Sequence, residues 1–253
     1  MKKISEVETE LRGYTTIDEL NRSPWRDDPR KGVAKSLERH RKRLENEALM
    51  RKKYEHMSRY EHNLKAKAEY IAGVDEAGRG PIAGEVVAAA VVLPEGFMLP
   101  GLDDSKKLSL KKRRAFREII MAEADYGIGT ASVDEIDRLN IYQASRLAME
   151  RAVDKLATAP DHLLVDAMTI DMGIEETSII KGDANSVSIA AASVLAKTER
   201  DLYMEHHETV YPGYGFAAHK GYGTTEHLAA LDSFGPCEIH RHTFEPVKSI
   251  RSK

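Results

Sequence analysis

Asp75 and Glu76 stand side by side in IAGVDEAGRGPIAGEVVAAAVVL, at the end of one apolar segment and just ahead of Gly78-Arg79-Gly80 and a second apolar segment. Adjacent carboxylates repel, and glycines at 78, 80 and 84 give up backbone order, so a ligand that offsets both costs is expected there. Two further acids follow short apolar segments: Asp166 closes HLLVD, and Asp183 comes after ETSIIKG. Carboxylates gathered outside strand ends cannot all stay ionised without counter-charge, and an all-oxygen set suits Mg²⁺ or Mn²⁺. Two such ions about 3.5–4 Å apart clamp the attacking and leaving oxygens of a phosphodiester. Taken singly, each acid has a plainer reading: a solvated strand end for Asp75 and Glu76, a cap for Asp166, an Asx turn for Asp183 in KGDAN. Their convergence on strand ends favours the metal. Zinc is not expected, because the chain has one cysteine, Cys237, and no HExxH.

The elements that must position these acids begin near residue 70, where the pattern becomes α/β. YIAGVD, GEVVAAAVVLP, YGIGTASV, HLLVDA and ETSIIKGD read as five strands. Little separates the first two, which implies a hairpin and a mixed sheet. Ser109 caps a predicted helix in LSLKKRRAFREIIMAEA. Helical spacing runs unbroken through VDEIDRLNIYQASRLAMERAVDKLA and again through SVSIAAASVLAKTERDLYMEHHE. After Tyr211 the chain is loop-rich, with TTEHLAALDSFG as a last short helix.

Before residue 69 glycine and β-branched residues are scarce and charge is dense. Thr16 and Glu19 have capping-box spacing for a first helix, and Pro29 can open a second. Leu37, Leu44, Met50, Met57 and Leu64 recur at about seven-residue intervals among charges, a stripe thin enough to lie on a partner surface rather than to form a core. Three segments follow: a charged helical extension over 1–69, an α/β core over 70–211 that carries the four acids, and a loop-and-helix segment over 212–253.

At 253 residues, 42% hydrophobic and 31% charged, the chain can bury a core under a wet surface. No apolar run approaches the ~20 residues of a membrane helix, and MKKISEVETELRG lacks the apolar stretch of a secretory leader. No membrane partner is expected, and the cytoplasm is the natural compartment for a chain with one cysteine. The net charge of −3 argues against a general polyanion binder, yet basic patches lie at Lys106–Arg114 and, more diffusely, between Arg30 and Lys67.

DEAGRGPIAGEVVAAAVV, DDSKKLS, VDA, AAASVLAKTERD, YGFAAHKGYGTTEH and GPCEIHR, in that order, resemble ribonuclease HII over roughly residues 70–245. The resemblance implies a ribonuclease H-like α/β fold: a mixed five-stranded sheet flanked by helices, with a small helical C-terminal segment. It implies Asp75, Glu76, Asp166 and Asp183 as the catalytic, metal-holding quartet, with two Mg²⁺ or Mn²⁺ ions during catalysis. Gly78, Arg79 and Gly80 would read the ribose 2′-OH at an RNA–DNA junction. Tyr222 would stack on the following deoxyribose, while Ser105, Lys106 and Lys107 would hold backbone phosphates. Plainer readings stay open here: a packed loop aromatic for Tyr222, a solvated helix entry for the lysines.

The implied partners are RNA/DNA hybrids and duplex DNA with embedded ribonucleotides, cut 5′ of the ribonucleotide by a monomer to leave a 3′-hydroxyl and a 5′-phosphate. Ribonucleotide excision and RNA-primer removal would be the role. Residues 1–69 lie outside this resemblance and are expected to add affinity for duplex. The competing readings are the sister type HIII nuclease, a non-catalytic nucleic-acid-binding module, and an integrase relative. Type HIII lacks the arginine that stands here as Arg79 and carries a sheet-like N-terminal domain.

Overall fold

The computed structural model describes residues 2–251. The chain divides between His56 and Met57 into two compact units. The first is helical, with α1 (Ile4–Arg12), α2 (Ile17–Asn21) and most of α3 (Lys31–Met57). The Thr16 side chain accepts from the Glu19 backbone N–H, as the capping-box spacing predicts, but α2 is the second helix of the chain. The unanticipated α1 supplies Val7 and Leu11, which close a core with Leu20, Val33 and Leu44 while Leu37 packs against it. Leu37 and Leu44 of the stripe are therefore covered within their own unit, and for these two the expectation that the stripe forms no core is corrected; Leu64 packs instead in the second unit, against a core with Ile71 and Leu164.

The second unit opens with α4 (Arg59–Leu64) and is built on five strands: β1 (Ile71–Ala77), β2 (Val86–Val92), β3 (Asp125–Ala131), β4 (His162–Asp166) and β5 (Glu175–Ile179). Their order is β3-β2-β1-β4-β5. The hairpin β1–β2 and the pair β2–β3 are antiparallel, while β4 runs parallel to both β1 and β5. This is the mixed five-stranded sheet expected from the sequence.

Helix α5 (Leu110–Glu123) starts at Ser109, whose hydroxyl accepts from Lys112 N as anticipated. The long helix read from residue 133 is two, α6 (Val133–Leu139) and α7 (Ile141–Val153). Asn140 separates them with φ of 75° and caps α7 through its side-chain oxygen, an option open to Asn and not visible in apolar periodicity. After β5 come α8 (Gly182–Asn185), α9 (Val187–Val210), α10 (Phe216–His219), α11 (Thr225–Phe234) and α12 (Val247–Arg251).

Two layers of helix sandwich the sheet. Ala72 and Val74 of β1 face the core containing Ala144, Ala148 and Met149 of α7. The opposite face carries α9, whose first half is a run of buried small residues. At Gly73 a β-carbon would lie 2.1 Å from the Ser188 carbonyl carbon, so glycine there is what lets α9 press on β1. No helix among the described residues is long and apolar enough to cross a membrane.

Candidate active site

In the parallel ladder Val74 pairs with Val165, so the next residues, Asp75 and Asp166, leave the sheet at one rim. Asp75 and Glu76 lie inside β1, one residue short of its end, rather than after it. Beyond β5 the chain turns through Lys181, in the left-handed region, into α8. There Gly182 N donates to Asp166 Oδ1 at 2.6 Å, and Asp183 follows on the same turn. One oxygen from each of Asp75, Asp166 and Asp183 lies within 4.8 Å of the other two.

Glu76 is not in that group. Successive strand residues point to opposite faces: Asp75 shares the α9 side with Gly73, and Glu76 shares the other side with Val74. Glu76 Oε1 accepts from Arg79 Nη1 at 3.3 Å. Its Oε2 is buried and has no hydrogen-bond partner among the described residues. A buried carboxylate oxygen left without a donor is costly alone and well suited to a cation at the rim.

Electrostatics point the same way. Burial, then the Glu76 and Asp166 carboxylates, push Asp75 well above the usual carboxylate range. Burial also raises Glu76 and Asp166. Asp183 is pushed up to about 6 by burial first, then by Asp104 and Asp166. A cation among these groups replaces the protons that otherwise relieve the repulsion. The acids thus fit a divalent metal by number, donor type and unmet demand.

Two buried arginines that sequence reasoning missed shape the adjoining loop. Arg241 donates through Nη2 to Gly78 O at 2.6 Å, through Nη1 to Arg79 O at 3.0 Å and Pro81 O at 2.7 Å, and through Nε to Gly84 O at 2.9 Å. Arg200 reaches Glu85 O at 3.0 Å, Ala83 O at 3.1 Å and Lys220 O at 2.8 Å. Gly78 has φ of +98°, and a β-carbon there would meet Arg200 Nε at 2.0 Å. Its glycine is thus demanded by the clamp beneath it. Gly80 is exposed, and a β-carbon on it would sit 3.5 Å from Tyr222 Cε1, so the missing side chain keeps a gap between loop and ring. Arg79 extends from the same loop with 41% of its side chain exposed.

Tyr222 is 47% exposed and held through its backbone. Its carbonyl lies 2.9 Å from His227 Nδ1, His227 Nε2 lies 3.0 Å from His240 Nε2, and His240 Nδ1 lies 2.9 Å from Cys237 N. A carbonyl only accepts and a backbone N–H only donates, which assigns both tautomers: His227 carries its proton on Nδ1, His240 on Nε2. Burial lowers both imidazoles, His240 to about 4, which keeps them neutral as this chain of bonds requires.

Lys106 and Lys107 are exposed on a 3₁₀ turn, Ser105–Lys107. Burial pulls the Lys106 ammonium down, but Asp104, Asp183 and Asp75 outweigh it, and its pKa is raised. Ser105 is only 3% exposed and its hydroxyl accepts from Ser193 Oγ at 3.0 Å, so it faces the interior rather than solvent. Asp104 is a fifth acid at the rim: it helps to raise the Asp183 carboxyl, and it caps the turn by accepting from Lys106 N at 2.9 Å. An acid immediately before Ser-Lys-Lys was a legible capping signal. Arg200 and Arg241 left no comparable local mark.

Comparison with known proteins agrees with this architecture. The family model "Ribonuclease HII" matches residues 72–247, and "Ribonuclease HII N-terminal domain" matches residues 3–65. A ribonuclease HII of Bacillus pumilus is 49% identical over 255 residues, covering 100% of this chain and 99% of that one. One from Bacillus subtilis is 51% identical over 227 residues, 89% of each chain. The solved ribonuclease H2 of Pyrococcus horikoshii superposes with a TM-score of 0.62 at 25% identity, covering 72% of this chain and 97% of that one. The chain belongs to the ribonuclease HII family and is a metal-dependent endoribonuclease H.

Proposed function

We propose that the protein hydrolyses the phosphodiester 5′ of a ribonucleotide, in RNA/DNA hybrids and in duplex DNA with embedded ribonucleotides, leaving a 3′-hydroxyl and a 5′-phosphate. The observation that carries this reading is the approach of Asp75, Asp166 and Asp183 oxygens to within 4.8 Å of one another, beside a clamped Gly78–Gly80 loop. Asp75, Glu76, Asp166 and Asp183 would hold two divalent cations, Mg²⁺ or Mn²⁺. Bound there, such ions supply the Lewis acidity that makes a water nucleophilic and stabilises a departing 3′ oxygen.

The chain's own residues select the scissile position. The exposed backbone at Gly80 lets main-chain polar groups approach a ribose 2′-OH, the group that distinguishes RNA from DNA. Arg79 presents its guanidinium fork to a phosphate of the same strand. The half-exposed Tyr222 ring stacks on the next sugar, where a 2′-OH would crowd it. Lys106 and Lys107 take neighbouring phosphates, which set register without reading sequence. Ser105 supports the turn that carries them through its bond to Ser193. The 2′-OH serves for recognition, so no histidine base is required. On this reading the enzyme acts as a cytoplasmic monomer in ribonucleotide excision and RNA-primer removal.

The test is a duplex carrying one ribonucleotide beside an all-DNA duplex, each incubated with Mg²⁺ or Mn²⁺. A single cut 5′ of the ribonucleotide is expected, with the all-DNA duplex intact. Cleavage of both would favour an integrase-like enzyme, cleavage of neither a binding module, and either result overturns the proposal.

A further inference from the structure

The helical unit that ends at His56 holds a second concentration of like charge, opposite in sign to the rim. Glu8, Arg12, Arg39, His40 and Arg43 line a cleft of about 430 Å³ between α1 and α3. Three guanidinium groups face one carboxylate, and that carboxylate is already engaged: Glu8 accepts from Ser36 Oγ at 2.7 Å and from Arg39 at 2.5 Å. Arg43 bonds Glu47 at 2.9 Å and the Tyr14 carbonyl at 3.2 Å. The Arg12 guanidinium donates no hydrogen bond among the described residues. His40 is 7% exposed, and its Nδ1 is buried without a partner.

Helix stability does not account for this arrangement. Arg39 and Arg43 are one turn apart, where like charges oppose the helix, and a buried imidazole nitrogen without a partner adds its own cost. An oxyanion removes both costs: guanidinium forks match its oxygens, and His40 gains an acceptor for an Nδ1 proton. We propose that this cleft binds a phosphate group, with Arg12, Arg39, Arg43 and His40 as its donors. The exposed Arg41, Lys42, Arg51 and Lys52 along α3 make a nucleic-acid backbone the natural source of that phosphate. A free phosphate has the same chemistry.

The experiment uses the full chain with EDTA, so that neither arm depends on catalysis or on the cleavage reading above. Binding of a labelled all-DNA duplex is followed by anisotropy between about 50 and 200 mM salt, the range over which counterion release separates phosphate contacts. Arg12→Gln removes an exposed side chain that the core does not use. It should lower the slope of log K against log[salt] by about 0.9, one phosphate contact. Lys35→Gln, which removes the same charge outside the cleft, should leave the slope unchanged. In the second arm inorganic phosphate is titrated by calorimetry into wild type and Arg12→Gln. A slope change specific to Arg12 identifies the duplex backbone as the source. Phosphate binding lost in Arg12→Gln with an unchanged slope identifies free phosphate. Equal slopes and equal phosphate binding in wild type and Arg12→Gln, or equal slope losses in Arg12→Gln and Lys35→Gln, overturn the proposal.

Discussion

The acidic rim and the arginine cleft pose one electrostatic problem with opposite signs, and the scaffolds that hold them differ in stiffness. At the rim, Asp75 and Asp166 are carried by hydrogen-bonded neighbouring strands, and Asp166 is fixed again by the Gly182 N–H. Their short side chains leave little freedom, so the oxygens stay within 4.8 Å of one another at a defined place. In the cleft the charges ride at the ends of long arginine stems on two helices, and two of the three are tied to carboxylates that can be exchanged. Chemistry at a phosphorus centre needs the first kind of precision; affinity for a polyanion needs only the second. An excess of like charge marks a ligand in both places, and the stiffness of its support separates a site that reacts from one that holds.

The largest expected effect tests the rim. Asp183→Asn keeps the shape and removes one charge, and cleavage of the ribonucleotide-containing duplex should fall on the order of 10²–10³-fold, as when one charge-stabilising group is lost. Arg12→Gln should leave kcat unchanged in the same assay. Near-wild-type turnover in Asp183→Asn would break the comparison. Next comes the clamp. Arg241→Ala strips the donors from Gly78, Arg79, Pro81 and Gly84 carbonyls, at about 1–3 kcal/mol for each acceptor left buried and unpaired. Thermal unfolding reads that loss. Arg241→Lys keeps the charge but cannot span the four carbonyls, so it should raise KM for the ribonucleotide duplex more than it lowers Tm. An unchanged KM would show that the clamp stabilises the fold without positioning Gly78–Gly80.

What the sequence disclosed follows the range of the interactions involved. The hairpin, the mixed sheet and the Thr16 and Ser109 caps rest on period-two apolar patterning and on contacts three residues long. The rim acids were visible because each falls at or beside the end of an apolar run. The split of Glu76 from the triad was implicit in strand alternation, since neighbours in β1 leave on opposite faces. Arg200 and Arg241 were hidden because most of their acceptors lie over a hundred positions away, as Glu85 and Gly78 do. Helix α1 was hidden for a related reason: Val7 and Leu11 are too sparse a stripe to stand out until α2 and α3 cover them.

The smallest expected effect, and the one that sharpens the comparison most, is on stability against pH. Asp183 has a folded-state pKa of about 6 against an ordinary value of 3.8, so between these values the native chain holds a proton that the unfolded chain has lost. Its contribution to stability is therefore complete below 3.8 and disappears as pH rises toward 6. His40 runs the other way. Burial first, then Arg43, Arg39 and Arg12, lower its imidazole below 6.5, against a weaker pull from Glu8. In the window just below 6.5 the unfolded chain takes up the proton that the native one refuses, so stability falls as pH falls. Each dependence should respond to its own ligand. Chemical denaturation of the EDTA-treated chain should show the acidic-side decline, which Asp183→Asn flattens and Mn²⁺ reverses near pH 6 by displacing the proton. Phosphate should leave that limb unchanged and stabilise the protein most where His40 can charge. If Mn²⁺ and phosphate acted on the same limb, the two regions would not be distinct sites of opposite sign.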